Sequence, residues 1–460
     1  MTSFQRGNAP RTQPAPPRRL GRLGPRTWTA VVLVGFAGQL AWTVENMYLN
    51  VFVYDTLSTD PTVIATMVAL SAVAATLATL IAGAWSDRTG RRRVLIAGGY
   101  VAWGISTAAF GFVGAAGTDT GAGAAQAGPP AAATVAIGGV VAIILLDCLM
   151  SAIGSSANDA AFMAWVTDST TPANRGRVDG ALAVMPLLGM LVVFGALDGL
   201  TRAGDWRLFF GIVGIATTIT GVLSWFLVRD RGIAAPSSDR LLAATVHGLR
   251  PSVIRRQPVL YLTLAIWAVV GISSQVFLPY VIIYLERTLR IESYALLLGV
   301  VLILASGLSV LAGRLMDRIG KLPTLSIAVP VFAAGLVGMA FVHEFLPVTI
   351  AATVMMTGMM TSIAAVSALS RDATPIGRAG GVQGLRMLLA VMVPMVIGPF
   401  IGAAVIAGNP QHYVDLGQTL PVPGPGIFLA AAVVLVLVIP FAWLRARAVR
   451  GAAGETEAPA

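Results

Sequence analysis

Along this chain the apolar positions gather into long runs broken by short polar stretches. Twelve runs, at about residues 28–53, 62–85, 94–116, 132–166, 181–200, 208–228, 259–285, 293–313, 322–342, 346–370, 379–407 and 425–444, approach or exceed the roughly 20 predominantly apolar residues that cross a bilayer core as a helix. Backbone amides in lipid must bond internally, so such segments are helices or barrel strands, and strands would be about ten residues of alternating polarity. No such alternation occurs. The pattern predicts an all-α polytopic membrane protein with twelve transmembrane helices.

Composition agrees. Of 460 residues, 56% are hydrophobic and 11% charged, against roughly 45–50% and 25% in soluble domains. An even number of spans puts both termini on one side. Lys and Arg decide which: 26 lie on the face that carries the termini, and four, Arg202, Arg207, Arg287 and Arg290, on the other. The positive-inside rule therefore predicts cytoplasmic termini. The net charge of +10 is mostly topology, which leaves little to argue for nucleic acid. A single cysteine, Cys148, excludes an internal disulfide. With His247, His343 and His412 scattered, neither a metal nor a cofactor is expected.

The organisation follows from the gaps. Residues 1–27, rich in Pro, Arg and Gln, are predicted to be a disordered basic arm; a cleaved signal is the competing reading, but the run that follows exceeds an h-region and lacks a cleavage site. Two six-helix halves, 28–228 and 258–444, flank a cytoplasmic linker, 229–257, whose Asp239–Arg256 stretch suits a short amphipathic helix. A cytoplasmic tail spans 445–460. Segments 116–131 and 408–425 read as external loops.

The most specific signal is internal repetition. GAWSDRTGRRR, residues 83–93, follows the second run and GRLMDRIGK, residues 313–321, the eighth. Gly83, Asp87, Arg88, Gly90 and Arg91 match Gly313, Asp317, Arg318, Gly320 and Lys321. A second motif, Asp168 before Thr171, Pro172 and Arg175, returns after the tenth run as Asp372 before Thr374, Pro375 and Arg378. Both recur in the same order at the same topological places, a plan known among transporters.

At these residues the chain resembles the major facilitator superfamily of secondary transporters, whose signature between helices 2 and 3 is G-x-x-x-D-R-x-G-R-R. The resemblance covers nearly the whole chain but does not name a substrate. It implies a cytoplasmic latch in which Asp87 engages the start of the eleventh helix, near Gly380, Gly381 and Arg386. The bland alternative is a solvated loop whose arginines serve topology or lipid headgroups; we favour that for Arg92 and Arg93, and the latch for Asp87.

A charge near mid-bilayer costs at least about 2.5–3.5 kcal/mol, so each one in a span needs a reason. Glu45, beside Asn46 and preceded by Gln39 and Trp42, is the leading candidate for proton coupling; the alternative is an acid at the outer interface. Asp147 and Asp159 share a run longer than one span, so both cannot be central. Residues 157–175 resemble the glycoside-pentoside-hexuronide and sucrose-type symporters, in which an acid of helix 4, here Asp159, takes part in cation or sugar binding; the alternative for Asp159 is a helix-end charge paired with a loop arginine. The second run holds no acid, which favours protons over sodium. Arg386 pairs with a substrate anion or an acid, or else snorkels. Gln275, Tyr280 and Tyr284 suit hydroxyl-rich ligands, although the tyrosines equally fit an aromatic belt. Asp198 and Asp205 read as solvated loop acids. The G-x-x-x-G-P-x-x-G-G motif of drug antiporters is absent from the fifth run, while Gly398, Pro399 and Gly402 form a fragment of it in the eleventh.

These readings predict a cell-membrane carrier, working as a monomer, that moves a small organic solute with a proton by alternating access. Sugars or glycosides are the first substrate guess and drug or metabolite efflux the second. A membrane-embedded enzyme is the remote alternative, since no nucleophile or acid–base constellation is legible.

Overall fold

The computed structural model describes residues 23–124, 129–230, 250–374, 379–408, 412–415 and 418–456. Twelve helices among them are long and apolar enough to cross a membrane. They are α1 (Pro25–Thr56), α2 (Pro61–Ser86), α3 (Arg92–Val113), α4 (Gly138–Ser169), α5 (Arg177–Arg202), α6 (Trp206–Leu227), α7 (Pro258–Thr288), α8 (Tyr294–Ile319), α9 (Lys321–Phe341), α10 (Phe345–Asp372), α11 (Gly384–Ala407) and α12 (Gly426–Arg450). Side chains such as Ile81 (62% exposed) and Leu145 (64%) point out of the bundle, where lipid rather than water satisfies them. Short connections alternate between two ends: the motif end, where α2 meets α3 and α8 meets α9, and the far end opposite.

Local chemistry sets the helix boundaries. Pro61 opens α2, with the Asp60 carboxylate accepting from the Thr62 amide at 2.8 Å, and the left-handed Gly90 (φ 64°) ends that helix. A β-carbon would be strained at this φ. Thr171 and Asn174 form a reciprocal capping box ahead of α5, with Pro172 in the first turn, so part of the second repeated motif is a helix start. Asp205 caps α6 through the Leu208 amide at 3.1 Å.

Several helix pairs touch backbone to backbone. A β-carbon on Gly104 of α3 would overlap the Gly214 carbonyl of α6, and one on Gly335 of α9 would overlap the Met355 backbone of α10. Small residues of this kind let helices pack closely where no hydrophobic force drives them together.

Several boundaries differ from the sequence expectation. The α3 helix continues to Ala124 and the next begins at Pro129, so much of the expected loop at 116–131 is helical. Segment 408–425 contains an antiparallel hairpin, β1 (His412–Asp415) with β2 (Gln418–Pro421). Helix α1 starts at Pro25, within the expected arm, and Arg26 donates to the carbonyls of Phe226 and Leu227. Of the linker, a helix Pro251–Arg256 is described; residues 231–249, like 1–22, lie outside the described residues.

Candidate functional site

Two acids of the spans sit in irregular helical turns, and a cation stands beside another. Glu45 sits in a π-helical turn of α1, Val44–Tyr48, and Asp159 in another of α4, Ser155–Phe162. Arg386 directly precedes a third, Met387–Met392 of α11. Each π-turn shifts the side-chain register and loosens a backbone bond, a distortion frequent at functional sites.

Glu45 and Asp159 line a cavity of about 200 Å³ between α1, α2, α4 and α11. Its wall includes Trp42, Asn46, Ser71, Thr76, Ser151 and Ser155, with Met387, Val391 and Met395 opposite, and holds no basic residue. Asp147, Ser151, Ser155 and Asp159 recur every four residues, which sets them along one stripe of α4. Ser151 donates to Glu45 Oε1. Glu45, 8% exposed, has its second oxygen buried without a partner. Asp147, 2% exposed, lies behind the cavity wall beside Ser71 and keeps Oδ1 unpartnered. Asp159 is oriented by Asn158, whose amide donates to Asp159 Oδ1 at 2.8 Å while its own oxygen accepts from Tyr100 at 2.9 Å.

Asp147 and Asp159 belong to the same span; Asp159 lines the acid cavity and Asp147 does not.

A second chamber, of about 140 Å³, lies between α1, α2, α5 and helices α7–α10. Asn46 and Gln275 are its only polar wall residues; Asn46 also lines the acid cavity.

Other predicted residues sit elsewhere. Gln39 is half-buried and lines neither cavity; its backbone packs against Gly189. Tyr280 is buried, with its hydroxyl 3.1 Å from the Pro61 carbonyl and 3.0 Å from that of Pro399. It clasps three helices together and lines neither cavity. Arg386 stacks on Trp267, its guanidinium carbon 4.6 Å from the ring centroid.

At the motif end, Arg92 pairs with Asp168 at 2.9 Å, and Lys321 with Asp372 at 2.5 Å. A basic residue opening the third helix of each set of six thus holds the acid closing the fourth. This corrects the topological reading of Arg92. Arg93 is also engaged: its amide donates to Asp230 at 2.8 Å and its guanidinium lies over Trp225. Gly83 and Gly313 are half-buried, while Arg88, Arg91, Asp317 and Arg318 are exposed. The side chains of Asp87 and Arg175, and all of Arg378, lie outside the described residues, and of Gly380 and Gly381 only the helical backbone is described. Helix α2 packs along Met387–Met392 and Val393–Ala407 of α11.

The far end holds what sequence reading missed. Asp198, expected to be solvated, is 3% exposed. It accepts from Tyr48 of α1 at 2.9 Å and from Tyr294 of α8 at 2.7 Å, and pairs with Arg202 at 2.6 Å. Arg202 also covers the Tyr294 ring and donates to the Glu292 carbonyl. Beside this node Arg287 of α7 pairs with Asp55 of α1 at 2.9 Å.

Comparison with known proteins decides the family. The family model of the Major Facilitator Superfamily matches residues 31–399. The chain belongs to that superfamily. Its fold is similar to that of a mutant of the nucleoside transporter NupG (TM-score 0.67, 12% identity, covering 91% of this chain and 99% of that one). It is also similar to a bacterial homolog of the human lysosomal transporter Spinster, in an inward-facing unoccupied form (TM-score 0.62, 16% identity, 95% and 99%) and an inward-facing occupied form (0.63, 16%, 92% and 96%). No curated protein matches the chain. This superfamily member is a multi-pass plasma-membrane secondary transporter with alternating-access architecture. It moves a small solute and is not an enzyme.

Proposed function

We propose that this transporter couples a proton to a small organic solute and works as a monomer. Two six-helix halves, 28–228 and 258–444, are joined by the linker 229–257, with the arm 1–27, the tail 445–460 and the motif end in the cytoplasm. The duplicated motifs and their matching ion pairs, Arg92–Asp168 and Lys321–Asp372, support the halves; the 26-to-four bias in Lys and Arg supports the orientation. On this reading the far end is closed and the motif end open to the cytoplasm. Asp87 serves as a latch to α11 only when that end closes.

The observation that carries the coupling is Glu45: a buried carboxylate bonded to Ser151, with one oxygen unpartnered, in a cavity wall without a basic residue. Such a group needs either a bound proton or a cationic solute. Exchange of one for the other couples their movements. Asp159, Asn46 and the α4 hydroxyls complete the polar surface, with Asp147 behind it, and Arg386 marks its cytoplasmic approach.

For the solute, Trp42 beside Glu45, Asn46 and Ser151 pairs a ring face with hydrogen-bonding groups and supports a sugar or glycoside taken up by symport. So does the likeness of residues 157–175 to the glycoside-pentoside-hexuronide branch. The apolar second chamber supports the other reading, efflux of a lipophilic solute. Both are tested by screening glycosides and lipophilic cations in proteoliposomes under an imposed pH gradient, with Glu45→Gln alongside. The expected result is gradient-driven flux that the variant lacks. Gradient-independent flux, or an unaffected variant, removes Glu45 from the role.

A further inference from the structure

We propose that the second chamber is a subsite for a compact, uncharged apolar group of the carried solute, about the size of a benzene ring. This inference rests on solute carriage as proposed above. The chamber, at about 140 Å³, is close to the roughly 150 Å³ of apolar cavities that stay dry and take up benzene.

Its lining specifies the ligand. Met47, Met190 and Phe194 come from the first six helices, and Phe277, Met355 and Met356 from the last six. No charged side chain touches it, so an ion entering would lose its hydration without compensation. Thioethers are polarisable and rotate freely, and the wall can therefore follow rings of different outline. The two amides fix the ligand's direction. Asn46 faces both the chamber and the acid cavity, and Gln275 lies on the chamber wall; a solute with its polar head at Glu45 would place its apolar end among the methionines.

Location adds a consequence for transport. Phe194 packs its ring 5.8 Å from that of Tyr48, and Tyr48 bonds to Asp198. The chamber wall is thus continuous with the far-end node, and its two sides belong to different sets of helices. It is whole only while the far end is shut. A ligand that binds one conformer better shifts the population toward it, so an occupied chamber holds the far end closed until the solute leaves.

The test uses the full-length protein and bromobenzene. In soaked crystals the anomalous bromine signal is expected between Phe277 and Met355, and to vanish in Ala352→Phe, which fills the chamber from a buried wall position. Ala352→Ile, a smaller change, lowers occupancy if the phenylalanine variant does not fold. In proteoliposomes bromobenzene should slow pH-driven solute flux by wild type about tenfold and by Ala352→Phe less than about twofold, the scale on which apolar pockets discriminate. Bromine found only on lipid-facing surfaces, or unchanged in both variants, overturns the subsite whatever the flux shows. Bromine in the chamber with no flux for any solute overturns the carriage reading and, with it, the solute as occupant.

Discussion

The two ends of the helix bundle are tied in different ways. At the motif end the described ion pairs, Arg92–Asp168 and Lys321–Asp372, each join neighbouring helices within one set of six. At the far end the bonds cross between sets: Asp198 to Tyr294, Asp55 to Arg287, and Tyr280 to the Pro61 carbonyl. Bonds within a set leave the sets free to part; bonds between sets must break before they do. The chemistry differs too. Asp198 is buried with its two tyrosines, where truncating one partner of a polar node strands the rest, whereas Lys321 and Asp372 stay largely solvated. On the alternating-access reading proposed above, the far end opens only when something compensates for the lost node.

The largest effect is expected from Asp198→Ala. It leaves two buried tyrosine hydroxyls without their acceptor, at a cost of about 1–3 kcal/mol each to the far-closed state. In a Cys148→Ser background, a cysteine at Leu298 should then react with an impermeant thiol reagent from the far side at least tenfold faster, on the order expected from that cost. An unchanged rate would mean that the node does not hold the end shut. Arg287→Ala removes a partly exposed pair and is expected to raise the same rate by about threefold, in keeping with roughly 0.5–1 kcal/mol.

Asp87→Asn probes the opposite state. It should lower transport without lowering expression, by weakening the conformer in which the motif end is closed; full transport by a well-expressed variant would leave Asp87 with no latch to serve. The smallest effect belongs to Lys321→Ala, whose half-exposed pair stays within one set. Its thermal midpoint should fall by about 2 °C or less, consistent with a surface pair worth under about 1 kcal/mol, and the Leu298 labelling rate should not move.

How much of this was legible in the sequence depended on the range of the physics. The spans follow from local apolar content, and Glu45 and Asp159 announce themselves because an acid in a span is costly wherever it points. Asp198 gave no such signal. It stands at a span end beside Gly199 and Arg202 and reads as a loop acid, until Tyr48 and Tyr294, 150 and 96 residues away, fold onto it. Arg92 looked topological for the same reason, its partner Asp168 lying on another helix. The apolar chamber was invisible because Met355 or Phe277 in a membrane helix has the composition of any other wall. The Thr171–Pro172 motif reads as a repeat in the sequence, but its capping role needed the Asn174 contact.

The reciprocal movement of the two ends is tested most directly by spin-label distances in lipid nanodiscs. One pair, on Ser58 and Ser293, reports the far end and the other, on Thr89 and Ile319, the motif end, each compared between the parent and Asp198→Ala. The account predicts that the far-end distance lengthens in the variant while the motif-end distance shortens. Both distances changing in the same direction, or a far end that stays shut without Asp198, would contradict it.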